Sequence, residues 1–135
     1  MEIKASLEHI LQSEAVVGEA FYRHFFQHHP EAIELFRKAD LKRMAALLPM
    51  QLSMIEVYHS TRSPASEEYL RALGVKHRDR GIPEDAFSGF CGCLLETLQD
   101  FHGELWSEDL AEQWRAALSA TVEKMLEGYQ QRFSL

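Results

Sequence analysis

The chain has 135 residues, 46% of them hydrophobic and 26% charged, which is enough for one domain with a sizeable core. A formal net charge of −7 argues against nucleic acid as a partner, since phosphate contacts need a basic face. No apolar run approaches the ~20 residues that span a bilayer, and Met1-Glu2-Ile3-Lys4 carries no signal-peptide pattern, so a cytoplasmic protein away from membranes is expected.

Apolar residues recur at helical spacing nearly throughout, with no alternating strand, hairpin turn or internal repeat. Leu7, Ile10 and Leu11 mark a short first helix. Ser13 is a plausible cap for the next, in which Val17, Phe21 and Phe25 recur every four residues beside Tyr22 and Phe26. Pro30 suits a first turn and opens a short segment closed by Ile33 and Phe36.

Asp40 is placed to cap a helix with the apolar stripe Leu41, Ala45, Leu48, Leu52 and Ile55. Pro49 falls inside it and removes a backbone donor, so a kink or irregular turn is expected there. Residues 60–64 are polar and read as the longest loop. Ser66 then opens a helix over 66–80, and Gly81-Ile82-Pro83 follows it. Ile82-Pro83-Glu84-Asp85 is expected to open the helix that buries Phe87, Phe90, Cys91, Leu94, Leu95 and Leu98 up to Gly103. Ser107 caps the last helix, with Leu110, Trp114, Ala117 or Leu118, Thr121 and Met125 inward and a tail that frays after Gly128. The fold class is all-α, six or seven helices in a single domain over residues 1–135.

Within this frame His77 stands out. It shares a helix side with Leu70 and Leu73, and an inward neutral imidazole is either a core histidine with a hydrogen-bond partner or a ligand for iron or zinc. Cys91 and Cys93 sit two apart on one helix and point to different sides, so they read as small packing residues rather than a redox pair. His28-His29 has no third metal ligand within sequence reach, and His9, His24, His59 and His102 lack a partner pattern. Trp106 and Trp114 read as packing anchors. No phosphate loop, nucleophile elbow or His-Glu-x-x-His motif is present, so catalysis by side chains alone is unsupported.

The order of features resembles a globin. Phe21-Tyr22 lies in an early helix, Pro30 precedes Leu35-Phe36, and Asp40-Leu41 opens a helix with Met44 and Leu48. Leu73-Gly74-Val75-Lys76-His77 runs into Arg80-Gly81-Ile82-Pro83, and Leu94-Leu95-Glu96-Thr97-Leu98, Trp106-Ser107 and Trp114 complete the set. The resemblance is to single-domain bacterial globins related to the flavohaemoglobin globin module and to neuroglobin, over about residues 13–127.

That resemblance implies haem b, with His77 as proximal iron ligand and Phe36 packed on the porphyrin. It assigns Tyr22 as the distal hydrogen-bond donor, Met44 as the distal residue where Gln or His is usual, and Leu48 as the apolar residue over the iron. A one-residue slip would put Arg43 and Leu47 in those places instead. Leu73, Ile82 and Phe87 would line the pocket, and Lys76, Arg78 or Arg80 would reach a propionate, unless they are simply a solvated helix end. The implied activity is reversible binding of O2, NO or CO by a monomer or weak homodimer. The alternatives are NO dioxygenation or peroxidase-like turnover with a separate reductase, and a haem-free globin-like sensor or interaction module in which His77 is a core residue. Two departures matter. The first helix is short and lacks the family's usual Trp, and a thioether at Met44 is no strong donor, though it can approach iron as a weak sixth ligand.

Overall fold

A computed structural model describes residues 1–131, all of them helix or connection. Six α-helices follow in order: α1 (Ile3–Gln12), α2 (Val16–His28), α3 (Leu41–Thr61), α4 (Pro64–Asp79), α5 (Ala86–His102) and α6 (Glu108–Tyr129). A 3-10 segment at Pro30–Phe36 links α2 to α3, and another at Gly103–Leu105 links α5 to α6. The last helix holds through Tyr129, and the rest of the predicted frayed tail, residues 132–135, lies outside the described residues.

Two of the predicted caps form as expected. The Asp40 carboxylate accepts from Arg43 N at 3.1 Å, and Ser107 Oγ accepts from Leu110 N at 3.1 Å. Ser13 does the opposite of what its type suggests. It follows α1, and its hydroxyl donates to Ile10 O at 2.6 Å, so it ends a helix instead of starting one. The predicted loop over 60–64 shrinks to residues 62–63, because α3 runs on to Thr61 and stops at Arg62, whose φ of 50° is left-handed. Ser63 then caps α4 by accepting from Ser66 N, with Pro64 in the first turn. Pro83 lies in the turn before α5 and not within it.

Pro49 does not break its helix; α3 is continuous and buries the ring. Proline leaves the carbonyl four residues back without its helical donor, here that of Ala45. Gly18 of α2 lies against that oxygen so closely that a Cβ on it would stand 1.9 Å away.

Burial divides into two clusters. The larger joins α1, α2, α3, α5 and α6 around Ile10, Phe21, Leu52, Leu94, Leu98 and Trp114. The smaller contains Tyr58, Leu70, Ala120 and Met125, with Leu73 and Phe87 against it. Helix α4 belongs to the smaller one. It packs mainly on α6 and meets α3, its neighbour in sequence, through Tyr58.

Glycines make the α4–α6 contact tight: a Cβ at Gly74 would be 1.9 Å from Met125 O, and one at Gly128 would be 2.1 Å from Arg71 O. Ion pairs run along it, from Arg71 to Glu127 at 2.9 Å and from Lys124 to Glu127 at 2.9 Å and Glu67 at 3.4 Å. The Tyr58 hydroxyl donates to Glu67 at 3.1 Å and brings the end of α3 into the network.

The short α1 is held by a buried chain of hydrogen bonds. Trp114 Nε1 donates to Ser6 Oγ at 2.9 Å, and Ser6 Oγ is 2.7 Å from His102 Nε2. His102 Nδ1 lies 2.7 Å from Leu98 O, which can only accept, so the proton is on Nδ1 and Ser6 donates to Nε2.

Candidate helix-cleft site

The predicted site residues fall into two groups that belong to different clusters. Tyr22 and Phe36 come together from α2 and the 3-10 segment, ring centroids 5.9 Å apart, with Phe26 beside both. Leu48 is buried in the same cluster, and Met44 and Phe36 pack against it half-buried. The alternative pair is turned outward: Arg43 is exposed and Leu47 is 41% exposed, against 2% for Leu48.

Tyr22 is buried, and its hydroxyl makes no hydrogen bond among the described residues. Burial pushes its pKa up to about 12, so the phenol keeps its proton at any physiological pH. It is a donor in an apolar setting with nothing of the protein to donate to.

The second group surrounds His77. Its Nδ1 lies 2.8 Å from Leu73 O, four residues back in α4. A carbonyl can only accept, so Nδ1 carries the proton and Nε2 keeps its lone pair. Burial lowers the pKa of His77, and the Arg80 charge adds to this against the Leu73 hydrogen bond, so the ring is neutral at pH 7. Phe87 of α5 lies beside it with centroids 6.1 Å apart, and Leu73 and Ile82 are half-buried nearby in sequence. The Tyr129 hydroxyl donates to Ile82 O at 2.7 Å and pins the turn after α4 to the last helix.

The basic residues differ among themselves. Arg78 is engaged at the end of α6, donating to the carbonyls of Gly128, Tyr129 and Gln131, and it also pairs with Asp79. That makes it a fastening for α4, the role expected of a cation near a helix C-terminus. Lys76 and Arg80 are exposed, with no ion pair among the described residues.

No ring contact or hydrogen bond joins the Tyr22 group to the His77 group among the described residues. An apolar cleft of about 300 Å³ does lie between α3 and α4, but it is lined by Met54, Val57, Tyr58, Ala65, Tyr69 and Leu70. None of the predicted site residues borders it.

A family model for globins matches residues 19–125, from the first turn of α2 to the last of α6. The chain belongs to the globin family. Over 116 residues this globin is 23% identical to a flavohemoprotein of Halalkalibacterium halodurans, covering 85% of the chain and 28% of that protein. The globin therefore spans little more than a quarter of that relative's length. The all-α expectation and the resemblance stated from the motifs both hold. No helix among the described residues is long and apolar enough to cross a membrane.

Sequence reasoning about this globin missed two polar constellations. Ser6, His102 and Trp114 form the buried chain described above, and His24 lies with Cys93 and Glu96 where α2 meets α5. In each, the partners come from helices distant in sequence. Cys91 and Cys93 are both free thiols, and burial pushes Cys91 up to about 11, as suits an inert packing residue.

Proposed function

We propose that this globin binds haem b between its two clusters and holds a diatomic gas, O2 first and also NO or CO, on the side facing Tyr22. The observation that carries this reading is the neutral His77, whose Nδ1 proton is committed to Leu73 O and whose Nε2 lone pair is free. A histidine ligand to iron needs that tautomer and an acceptor for its other nitrogen.

The residues fit a flat, mostly apolar group. Leu73, Ile82 and Phe87 around His77 are only partly covered by protein, and so are Phe36 and Met44, which pack beside the buried Leu48. The orphaned Tyr22 hydroxyl on the latter side fits a polar diatomic ligand. Lys76 and Arg80, exposed at the end of α4, are the cations left to pair with a propionate, since Arg78 is engaged at the end of α6.

Haem, when bound, would supply an iron that takes the gas molecule. His77 would tether and orient it, Phe36 and Leu48 would keep water from the gas, and Tyr22 would donate a hydrogen bond to it. Met44 offers only a thioether there, so Tyr22 is the donor of this set. Turnover as an NO dioxygenase or peroxidase would need electrons from a separate reductase.

Titrating haem into the haem-free protein tests the assignment. A Soret band that saturates at one equivalent per chain is expected, and no saturable band would refute it.

A further inference from the structure

One ring nitrogen of His24, the Sγ of Cys93 and a carboxylate oxygen of Glu96 all lie within 4.8 Å of one another. His24 comes from α2, while Cys93 and Glu96 are one turn apart on the facing side of α5, and the two helices pack together. His24 Nε2 is shut off from solvent and has no hydrogen-bond partner among the described residues, although Glu96 Oε1 is 3.4 Å away. The two atoms are near each other but out of line for a hydrogen bond, so the buried nitrogen is left without a partner of its own.

We propose that His24, Cys93 and Glu96 form a binding site for one Zn²⁺ ion that ties α2 to α5. A nitrogen, a sulfur and an oxygen are the donor set of a borderline-soft divalent ion, and Zn²⁺ takes all three. A tetrahedral zinc places its nitrogen and sulfur donors roughly 3.6 Å apart, so the three groups need only close slightly. Thiolate and carboxylate together neutralise the ion, and the neutral imidazole completes the protein ligands. With three protein ligands the fourth position belongs to water.

Binding exchanges a proton for the metal. Burial and the Glu96 charge push the Cys93 thiol up, so the free site holds its proton. As the Zn–S bond forms the S–H bond breaks, and that proton passes to the buffer. Tyr22 lies two residues before His24 on α2, so the ion would anchor the helix that carries it. The site shares no residue with the proposed haem pocket and stands whether or not haem binds.

The test is one equivalent of Zn²⁺ added to the full chain in the presence of a competing chelator, followed by X-ray absorption at the zinc edge. This readout is specific to zinc and is unaffected by iron. One sulfur neighbour at about 2.3 Å is expected, together with release of about one proton per zinc in calorimetry across buffers. Cys91→Ser should leave the sulfur signal unchanged, and Cys93→Ser should abolish it. Because Cys93 is buried and its replacement can perturb packing, His24→Gln at a half-buried position and Glu96→Gln at an exposed one provide the second arm. Each should weaken zinc binding about a hundredfold. A wild-type spectrum with nitrogen and oxygen neighbours only, affinity unchanged in both of these variants, or no zinc retained would each overturn the proposal and leave His24 and Glu96 an ordinary surface pair.

Discussion

Gly18 of α2 rests directly on the Ala45 carbonyl oxygen of α3, the one acceptor that Pro49 deprives of its helical partner. A hydrogen stands on glycine where a side chain would begin, and it points at that oxygen, a geometry that favours a weak Cα–H···O contact. The proline is thereby tolerated in the middle of a core helix. The same crossing sets Tyr22, one turn after Gly18, beside the stretch of α3 that carries Met44 and Leu48.

Gly18→Ala should therefore destabilise the protein by about 3 kcal/mol, since the clash is with backbone and cannot be relieved by a rotamer change. Alanine would otherwise gain about 1 kcal/mol of helix propensity, so the sign is informative. Urea denaturation of the two proteins decides it, and a more stable variant would show that the helices do not cross at this glycine.

Tyr22→Phe separates ligand binding from folding. The hydroxyl has no protein partner, so its removal should change folding stability by less than about 0.5 kcal/mol. A donor to a bound gas is worth about 1.5 kcal/mol, so oxygen should dissociate roughly tenfold faster. Stopped-flow measurement of the oxygen off-rate checks the second part. An unchanged rate would mean that Tyr22 does not face the ligand.

The Ser6–His102 pair predicts a pH dependence. Burial lowers the folded-state pKa of His102 below that of the unfolded chain. Between those two values the unfolded chain binds more protons, so stability is fully present above about pH 6.5 and falls as the solution is acidified. Protonation also places a donor on Nε2, which then cannot accept from Ser6. His77 shifts in the same direction, so His102→Gln is needed to isolate the effect, and its unfolding midpoint should vary less between pH 7 and pH 5. Ser6→Ala at pH 7 should cost about 3 kcal/mol, because it strands Trp114 Nε1 and His102 Nε2 in the core. A pH profile identical in wild type and His102→Gln would contradict the assignment.

The helices were legible because their apolar stripes are regular, as at Val17, Phe21 and Phe25 or at Leu110, Trp114, Leu118 and Met125. Their ends were less so. Ser13 looks like a start but closes α1, because a serine hydroxyl donates to a carbonyl one turn back as readily as it accepts. The polar stretch over 60–64 reads as a loop, yet Ser60 and Thr61 end α3 and Pro64 opens α4, which leaves only Arg62 and Ser63 between the helices. Pro49 suggests a kink or an irregular turn; the helix is continuous through it, and the glycine against the freed carbonyl sits on a different helix. His77 and Tyr22 could be singled out by motif, but not the hydrogen bond that sets the His77 tautomer or the empty-handed phenol. His24 with Cys93 and Glu96 was beyond reach, because only the packing of α2 on α5 brings those side chains together.

The central claim is that His77 is the iron tether, and the most direct test is the absorption spectrum of the haem-loaded protein, ferric and then reduced, beside that of His77→Ala. The wild-type protein should show a Soret band that is lost or strongly altered in the variant, with the reduced Q bands showing whether Met44 takes the sixth position. A variant spectrum identical to wild type, or no Soret band in either protein, would contradict it.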